Sequence, residues 1–283
     1  MTDQRAIGVF DSGVGGLTVA RALEAALPHE RLIYLGDTAR VPYGTKSADT
    51  VIRYSRQIAR FLLAYDVKYI VVACNTASAH ALDALRAELD VPLMGVIAPG
   101  ARAAAERAEL GAVGVIGTIG TVASRAYQRA LQALRPELVV FSQACPLFVP
   151  LAEEGWGNHP VTAQVARHYL SALQRDSGVL DTLVLGCTHY PLLAEAIADA
   201  AREVFGREVD LVDSASAAAD DVVRDLAERG LGADAATADG GGGGGDGGAP
   251  AQRSRFFVTD DSRFGELATR FLGRRVDGEP AEL

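Results

Sequence analysis

Lysine is nearly missing from this chain: Lys46 and Lys68 are the only two among 283 residues. A pyridoxal phosphate enzyme needs a lysine to hold its cofactor as a Schiff base. Lys68 stands just before a predicted strand, at the wrong end of a sheet for ligand binding, and Lys46 follows the Pro42-Tyr43-Gly44 turn, so that cofactor is disfavoured. Cysteine is scarce too. Cys74, Cys145 and Cys187, with no Cys-x-x-Cys pair among them, make neither a disulfide framework nor a structural zinc site. Basic residues number 27 against 36 acidic ones, a net charge of −9. That balance argues against a nucleic-acid or anionic-membrane partner, which would need a basic patch, although one locally positive site could still hold an anionic substrate. No apolar run is long enough to cross a bilayer, and Met1-Thr2-Asp3-Gln4-Arg5-Ala6 does not have the pattern of a signal peptide. A reduced, cytoplasmic protein is expected.

What the chain does have is a regular alternation. Short β-branched apolar runs over 6–10, 32–35, 68–73, 93–97, 112–116, 139–143, 182–185, 209–212 and 255–259 alternate with helical stretches. The helices are expected over 17–27, 47–65, after Thr76 to before Val91, over 101–109, 122–134, 160–175 and 192–204, after Asp213-Ser214 to about Glu228, and over 264–272. Alternation of this kind predicts an α/β protein with parallel sheets. Ala98-Pro99-Gly100 reads as a crossover into a second unit, and the chain returns near 209–212. The expected division is a discontinuous first domain, 1–97 plus 211–283, and a second domain, 98–210, with a small-molecule site in the cleft between them. The run over 240–248, glycine broken only by Asp246, has no packing capacity and reads as a flexible surface insertion.

Two stretches stand out within this pattern. Ile70-Val71-Val72-Ala73-Cys74-Asn75-Thr76-Ala77-Ser78 and Leu183-Val184-Leu185-Gly186-Cys187-Thr188-His189-Tyr190-Pro191 are each an apolar run ending in a cysteine, followed by small and hydroxyl residues. Each thiol would sit at the carboxyl end of a parallel strand, where open α/β sheets bind ligands. Asp11-Ser12-Gly13-Val14-Gly15-Gly16 ends the first strand in the same way, and a glycine-rich turn into a helix start suits an anion. The turn is not a dinucleotide fingerprint, because the third glycine position counted from Gly13 is Thr18, and no Gly-Lys-Ser/Thr follows it. Cys145, followed by proline and without polar company, reads as a buried small hydrophobe.

A single Cys187–His189 pair would suggest acyl transfer, with His189 taking the thiol proton. Two thiols on opposite walls suggest something else. One thiolate removes a proton from a carbon on one face while the other thiol returns a proton on the opposite face, inverting a stereocentre. Thiol pKa values near 8.5 make both protonation states accessible at neutral pH. The carbanion then needs fixed donors around the substrate carboxylate, for which Ser12, Asn75, Thr76, Thr188 and the backbone of the Gly13–Gly16 turn are suitable.

Gly8-Val9-Phe10-Asp11-Ser12-Gly13-Val14-Gly15-Gly16, Pro42-Tyr43-Gly44, Ala73-Cys74-Asn75-Thr76-Ala77-Ser78 and Gly186-Cys187-Thr188-His189-Tyr190-Pro191 resemble, in order and spacing, the motifs of the glutamate racemases of the aspartate/glutamate racemase superfamily. The likeness covers nearly the whole chain except the 240–248 run. It implies two similar parallel-sheet α/β domains with the active site between them, and cofactor-independent, metal-independent interconversion of L- and D-glutamate, the D form serving peptidoglycan and cell-wall synthesis. It implies Cys74 and Cys187 as the two acid–base residues, Asp11 assisting the first and His189 the second, and Glu153, with Glu154 second to it, as a further site carboxylate. Asp11, Ser12, Tyr43, Gly44, Asn75, Thr76, Thr118, Thr121, Thr188 and His189 would line the substrate. A homodimer is compatible with the resemblance. Aspartate as substrate, a catalytically silent amino-acid-binding relative, and a hydrolase using Cys187 alone are the alternatives.

Overall fold

In the computed structural model, residues 3–233 and 254–283 are described, and the glycine run over 240–248 lies outside them. The predicted alternation is present. The strands are β1 (Ile7–Asp11), β2 (Leu32–Gly36), β3 (Tyr69–Val72), β4 (Leu93–Gly95), β5 (Ala112–Gly117), β6 (Val139–Ala144), β7 (Thr182–Gly186), β8 (Asp210–Asp213), β9 (Arg255–Val258) and β10 (Glu279–Pro280). The helices are α1 (Leu17–Ala26), α2 (Ala48–Leu63), α3 (Asn75–His80), α4 (Leu82–Glu88), α5 (Ile97–Arg107), α6 (Ile119–Ser124), α7 (Ala126–Leu134), α8 (Phe148–Glu153), α9 (Pro160–Ser177), α10 (Ala194–Phe205), α11 (Ser214–Arg229) and α12 (Phe264–Leu272).

The strands form one six-stranded sheet, ordered β10-β9-β2-β1-β3-β4, and one four-stranded sheet, ordered β6-β5-β7-β8. Every pairing is parallel. The central strands β1, β3 and β7 are buried along their whole length, as their unbroken apolar runs require of strands covered on both faces. Helix α2 shows how the covering layer is specified. The Ser47 side chain accepts from the Thr50 amide to cap it, and Val51, Ser55, Ile58, Ala59 and Leu62 recur at helical spacing to bury one face. One hydrophobic cluster runs from Ile7, Val9 and Tyr34 of the larger sheet to Ile116, Leu183 and Leu185 of the smaller, so the two halves share a core.

Four details differ from the sequence expectation. The strand starting at Leu93 stops at Gly95, and the Ala98-Pro99-Gly100 segment lies inside α5 instead of forming a crossover. Pro99 sits in the first turn of that helix, where its missing N–H has no partner to lose. The single helix expected over 122–134 is two, because Arg125 takes a left-handed conformation with φ 55°. The alanine-rich helix after Thr76 likewise breaks at Ala81 into α3 and α4. Finally, β8 pairs with β7 from Thr182↔Asp210 to Leu185↔Asp213. The boundary expected between 210 and 211 therefore cuts a strand of the smaller sheet. A short apolar run reads the same whichever sheet it joins, which is why the sequence misplaced it.

Candidate active site

The strand order puts two pairs of strand ends opposite each other. In the larger sheet the chain leaves β1 toward β2 on one side and returns to β3 on the other, a topological switch point. The smaller sheet repeats this with β5, β6 and β7. Asp11 and Cys74 close β1 and β3; Thr118 and Cys187 follow β5 and β7. Between the two edges lies a cavity of about 180 Å³ lined by both Cys74 and Cys187. That is below the roughly 300–1,000 Å³ of sites for drug-sized ligands, and it suits a small metabolite.

Ser12, Tyr43, Gly44, Asn75, Thr76, Thr118, Glu153, Thr188 and His189 line the same cavity. Asp11 and Thr121 do not; they sit one layer behind, 1% and 2% exposed. The wall also includes Val41, Ile119, Pro146, Val149 and Pro150, which sequence reasoning did not single out for the site. Apolar residues carry no chemical signature along the chain, and only folding shows which of them face a cleft. Among the described residues, no lysine or arginine lines the cavity. An anionic ligand would be met by hydroxyl, amide and backbone N–H groups. Lys68 is buried at the far end of β3 in an ion pair with Glu30 at 2.7 Å, and Lys46 does not reach the cavity either.

Each thiol is built in by local structure. Cys74 caps α3, its Sγ accepting from the Ala77 amide at 3.4 Å, and its thiol lies 3.5 Å from Ser12 Oγ. Burial pushes the Cys74 thiol up to about 12, and the Asp11 carboxylate adds to this, against the hydrogen bonds with Ser12 and the Ala77 amide. Asp11 is itself raised by burial, which outweighs the nearby His189 charge and the N–H groups of Gly16, Gly13 and Ser12. Its Oδ2 accepts from the Gly13 amide at 3.0 Å, while Oδ1 has no partner.

The opposite wall is arranged differently. Cys187 Sγ is 3.9 Å from His189 Nδ1, and His189 Nε2 is 3.0 Å from Glu153 Oε1. Burial opposes a charge on this imidazole, but Cys187 and Glu153 outweigh it and hold the His189 pKa up to about 10. Glu153 is lowered because the His189 hydrogen bond overcomes its own desolvation. Glu154 points away and pairs with Arg263 at 3.3 Å on the surface. Of the two adjacent acids, only Glu153 meets the histidine.

Polar side chains behind the walls are held in turn. Thr76 Oγ1 lies 2.9 Å from Thr118 Oγ1 and 3.2 Å from Thr121 Oγ1, a hydroxyl trio that joins the two sheets' loops. Asn75 Oδ1 accepts from Tyr127 Oη at 2.7 Å, and its Nδ2 donates to Ser214 Oγ at 3.4 Å. Tyr127 and Ser214 carried no signal of this in the sequence. The Tyr43 hydroxyl donates to Asp37, behind the cavity wall that Tyr43 helps to line. Two glycines allow the close approach: a Cβ on Gly15 would come within 2.2 Å of Thr188 Oγ1, and one on Gly44 within 2.7 Å of Thr118 Cβ.

Two parallel α/β sheets thus each present a thiol to one small cavity. The sequence model of the Asp/Glu/Hydantoin racemase family matches residues 16–222, and the chain belongs to that family. Its relatives are narrower still. It is 56% identical to the glutamate racemase of Geobacter metallireducens over 75% of this chain and 76% of that one. The crystal structure of a glutamate racemase from Bacillus anthracis superposes with a TM-score of 0.87 at 37% identity, covering 99% of this chain and 98% of that one. The glutamate racemase of Francisella tularensis subsp. tularensis, solved in complex with D-glutamate, gives a TM-score of 0.83 at 36% identity over 99% and 98% of the two chains. Within the racemase family, the chain belongs with the glutamate racemases.

Proposed function

We propose that this chain interconverts L- and D-glutamate by proton transfer between two thiols, without a cofactor or metal. The observation that carries the reading is the placement of Cys74 and Cys187 at equivalent strand ends of two sheets, both lining one small cavity. One cysteine as thiolate removes the α-proton, and the other as thiol delivers a proton to the opposite face; the reverse reaction exchanges the roles. On the Cys187 wall His189 can take or return the thiol proton, with Glu153 orienting and stabilising its charged form. On the Cys74 wall burial, and then the Asp11 carboxylate behind the thiol, favour its protonated form. Asn75, Thr76, Thr118 and Thr188 supply donors of the kind a substrate carboxylate and a developing carbanion require. Neither lysine reaches the cavity, which agrees with a mechanism that forms no Schiff base. Among the described residues no helix is long and apolar enough to cross a membrane. We place the enzyme in the cytoplasm, where its D-glutamate would enter peptidoglycan.

The test is direct. Purified protein with reduced thiols is mixed with L-glutamate in deuterated water, with no cofactor added, and followed by polarimetry and by the α-proton NMR signal. Loss of rotation together with deuterium at the α-carbon is the expected result. No rotation change and no exchange would overturn the reading, and a faster reaction with aspartate would reassign the substrate.

A further inference from the structure

The C-terminal helix α12 belongs to the part of the chain beyond the matched family segment, which ends at residue 222. It follows β9, a strand of the larger sheet, yet it reaches the acid–base pair carried by the other half. The Phe271 ring stands edge-on to the His189 imidazole, centroids 5.0 Å apart at 78°. Next to it, the Arg270 guanidinium donates through Nη1 to the backbone carbonyl of Glu153, and its Nη2 pairs with Glu266 at 2.8 Å.

Gly155 carries the second sign of this arrangement. It has φ +73°, a conformation that favours glycine, and a Cβ there would lie 3.0 Å from Arg270 Nε and 3.3 Å from Cζ. The turn after Glu153 is therefore shaped to let the guanidinium lie against the backbone.

We propose that Arg270 is a positioning residue for the reaction: by holding the Glu153 carbonyl from α12 it fixes the carboxylate against His189, and so the imidazole against Cys187. The proposal rests on the two-thiol reading above. Glu153 ends the six-residue helix α8, which ends in a turn and is a weak mount by itself. Arg270 ties that end to a helix whose Phe264, Leu267, Ala268, Phe271 and Leu272 are buried. The titratable and charged groups facing the pair are Cys187 and Asp11 around His189, and Arg263, which also lowers Glu153. Arg270 touches no reacting atom. Its effect passes through Glu153.

The experiment compares wild-type enzyme with Arg270→Ala and Arg270→Lys, measuring kcat, KM and the pH dependence of kcat/KM for glutamate in both directions. Because a misplaced catalytic group costs on the order of 100-fold, Arg270→Ala is expected to lower kcat by about 10- to 100-fold. KM should change by no more than about threefold, since Arg270 itself does not line the cavity. The alkaline limb of the profile should move to lower pH as Glu153 loosens from His189. Arg270→Lys should recover part of kcat. The His189 ring, followed by NMR, should titrate lower in the alanine variant. Arg270 is partly exposed, so its loss leaves no buried void; should the alanine variant still fail to fold, the lysine variant must show the same shifts in smaller measure. Unchanged kcat and an unchanged pH profile, with or without a drop in Tm, would overturn the proposal. Absence of racemisation by the wild type would instead overturn the functional reading on which it rests.

Discussion

The two halves of the molecule repeat one wiring and differ in how each treats its cysteine. Strands β2-β1-β3-β4 and β6-β5-β7-β8 have the same order, and the cysteine follows the third strand of each in chain order. Around Cys74 the chain puts a helix-cap amide, the Ser12 hydroxyl and, behind them, a buried carboxylate; burial first and that carboxylate second raise the thiol pKa. Around Cys187 it puts an imidazole held up to a pKa of about 10 by Glu153 and the thiol itself. One thiol is held protonated by burial beside a carboxylate, and the other lies beside an imidazole whose own pKa is raised. Equivalent backbone positions thus present two thiols to one cavity, and the proposed reaction would use them in unequal surroundings.

The comparison breaks most visibly if either thiol is removed. Cys74→Ala and Cys187→Ala should each lower racemisation by about 10³-fold or more, as expected of losing a general acid–base group outright. α-Proton exchange on the face served by the remaining cysteine should outlast the loss of inversion. Equal exchange in both variants and no inversion in either would show the walls to be matched in chemistry; loss with only one variant would show that a single wall works.

Next in size is Glu153→Gln, which should lower kcat by about 10- to 100-fold and shift the alkaline limb of the pH profile downward. The same substitution has a signed effect on stability. His189 has a folded pKa raised above its unfolded value, so its contribution is full below about pH 6.5 and is lost as pH rises through about 10. Glu153 is lowered, so its contribution is present above its unfolded value and is lost as pH falls through its folded one. The wild-type advantage in Tm over Glu153→Gln should therefore be greatest between about pH 4.5 and 6.5 and should shrink in both directions. A pH-independent difference would contradict the pairing.

Gly15→Ala tests how close the two halves must come. Its methyl would lie 2.2 Å from Thr188 Oγ1 and 2.5 Å from His189 Nδ1. Activity should fall by about tenfold and stability by about 1–3 kcal/mol, the usual cost of forcing extra atoms into a packed site. Thr121→Val should do less. It removes one hydroxyl from the trio with Thr76 and Thr118, and a several-fold rise in KM is expected for one hydrogen-bonding group lost. Lys68→Met is the control at the opposite sheet edge. It strands Glu30 without its buried partner, so a loss of about 3–5 kcal/mol is expected in denaturant unfolding. Turnover per folded molecule should be unchanged.

Much of this was legible along the chain. The apolar runs at 70–73 and 183–185 ended in strands, and cysteine, hydroxyl and amide residues directly after them had to appear at a carboxyl edge. Val41, Ile119 and Val149 of the cavity wall were not legible, since an apolar residue facing a cleft looks the same in sequence as one facing the core. Arg125 hid a helix break, because its left-handed backbone leaves no mark in a residue type common in helices. Tyr127, Ser214 and Arg270 were missed for a different reason. Each acts on a residue more than fifty positions away, through contacts that exist only once the two halves are packed together.

Local chemistry alone determined the alternation of strand and helix and the thiols at two strand ends. Those features depend on side-chain periodicity and residue type, which a linear reading preserves. Tertiary structure alone decided that β8 joins the smaller sheet, that Glu153 and not Glu154 meets His189, and that Asp11 stands behind Cys74 with an unpartnered oxygen. These are matters of which residues become neighbours in space and how much water is left around them. Burial and a charged neighbour then set the proton affinity of each group, and neither can be read from its place in the chain.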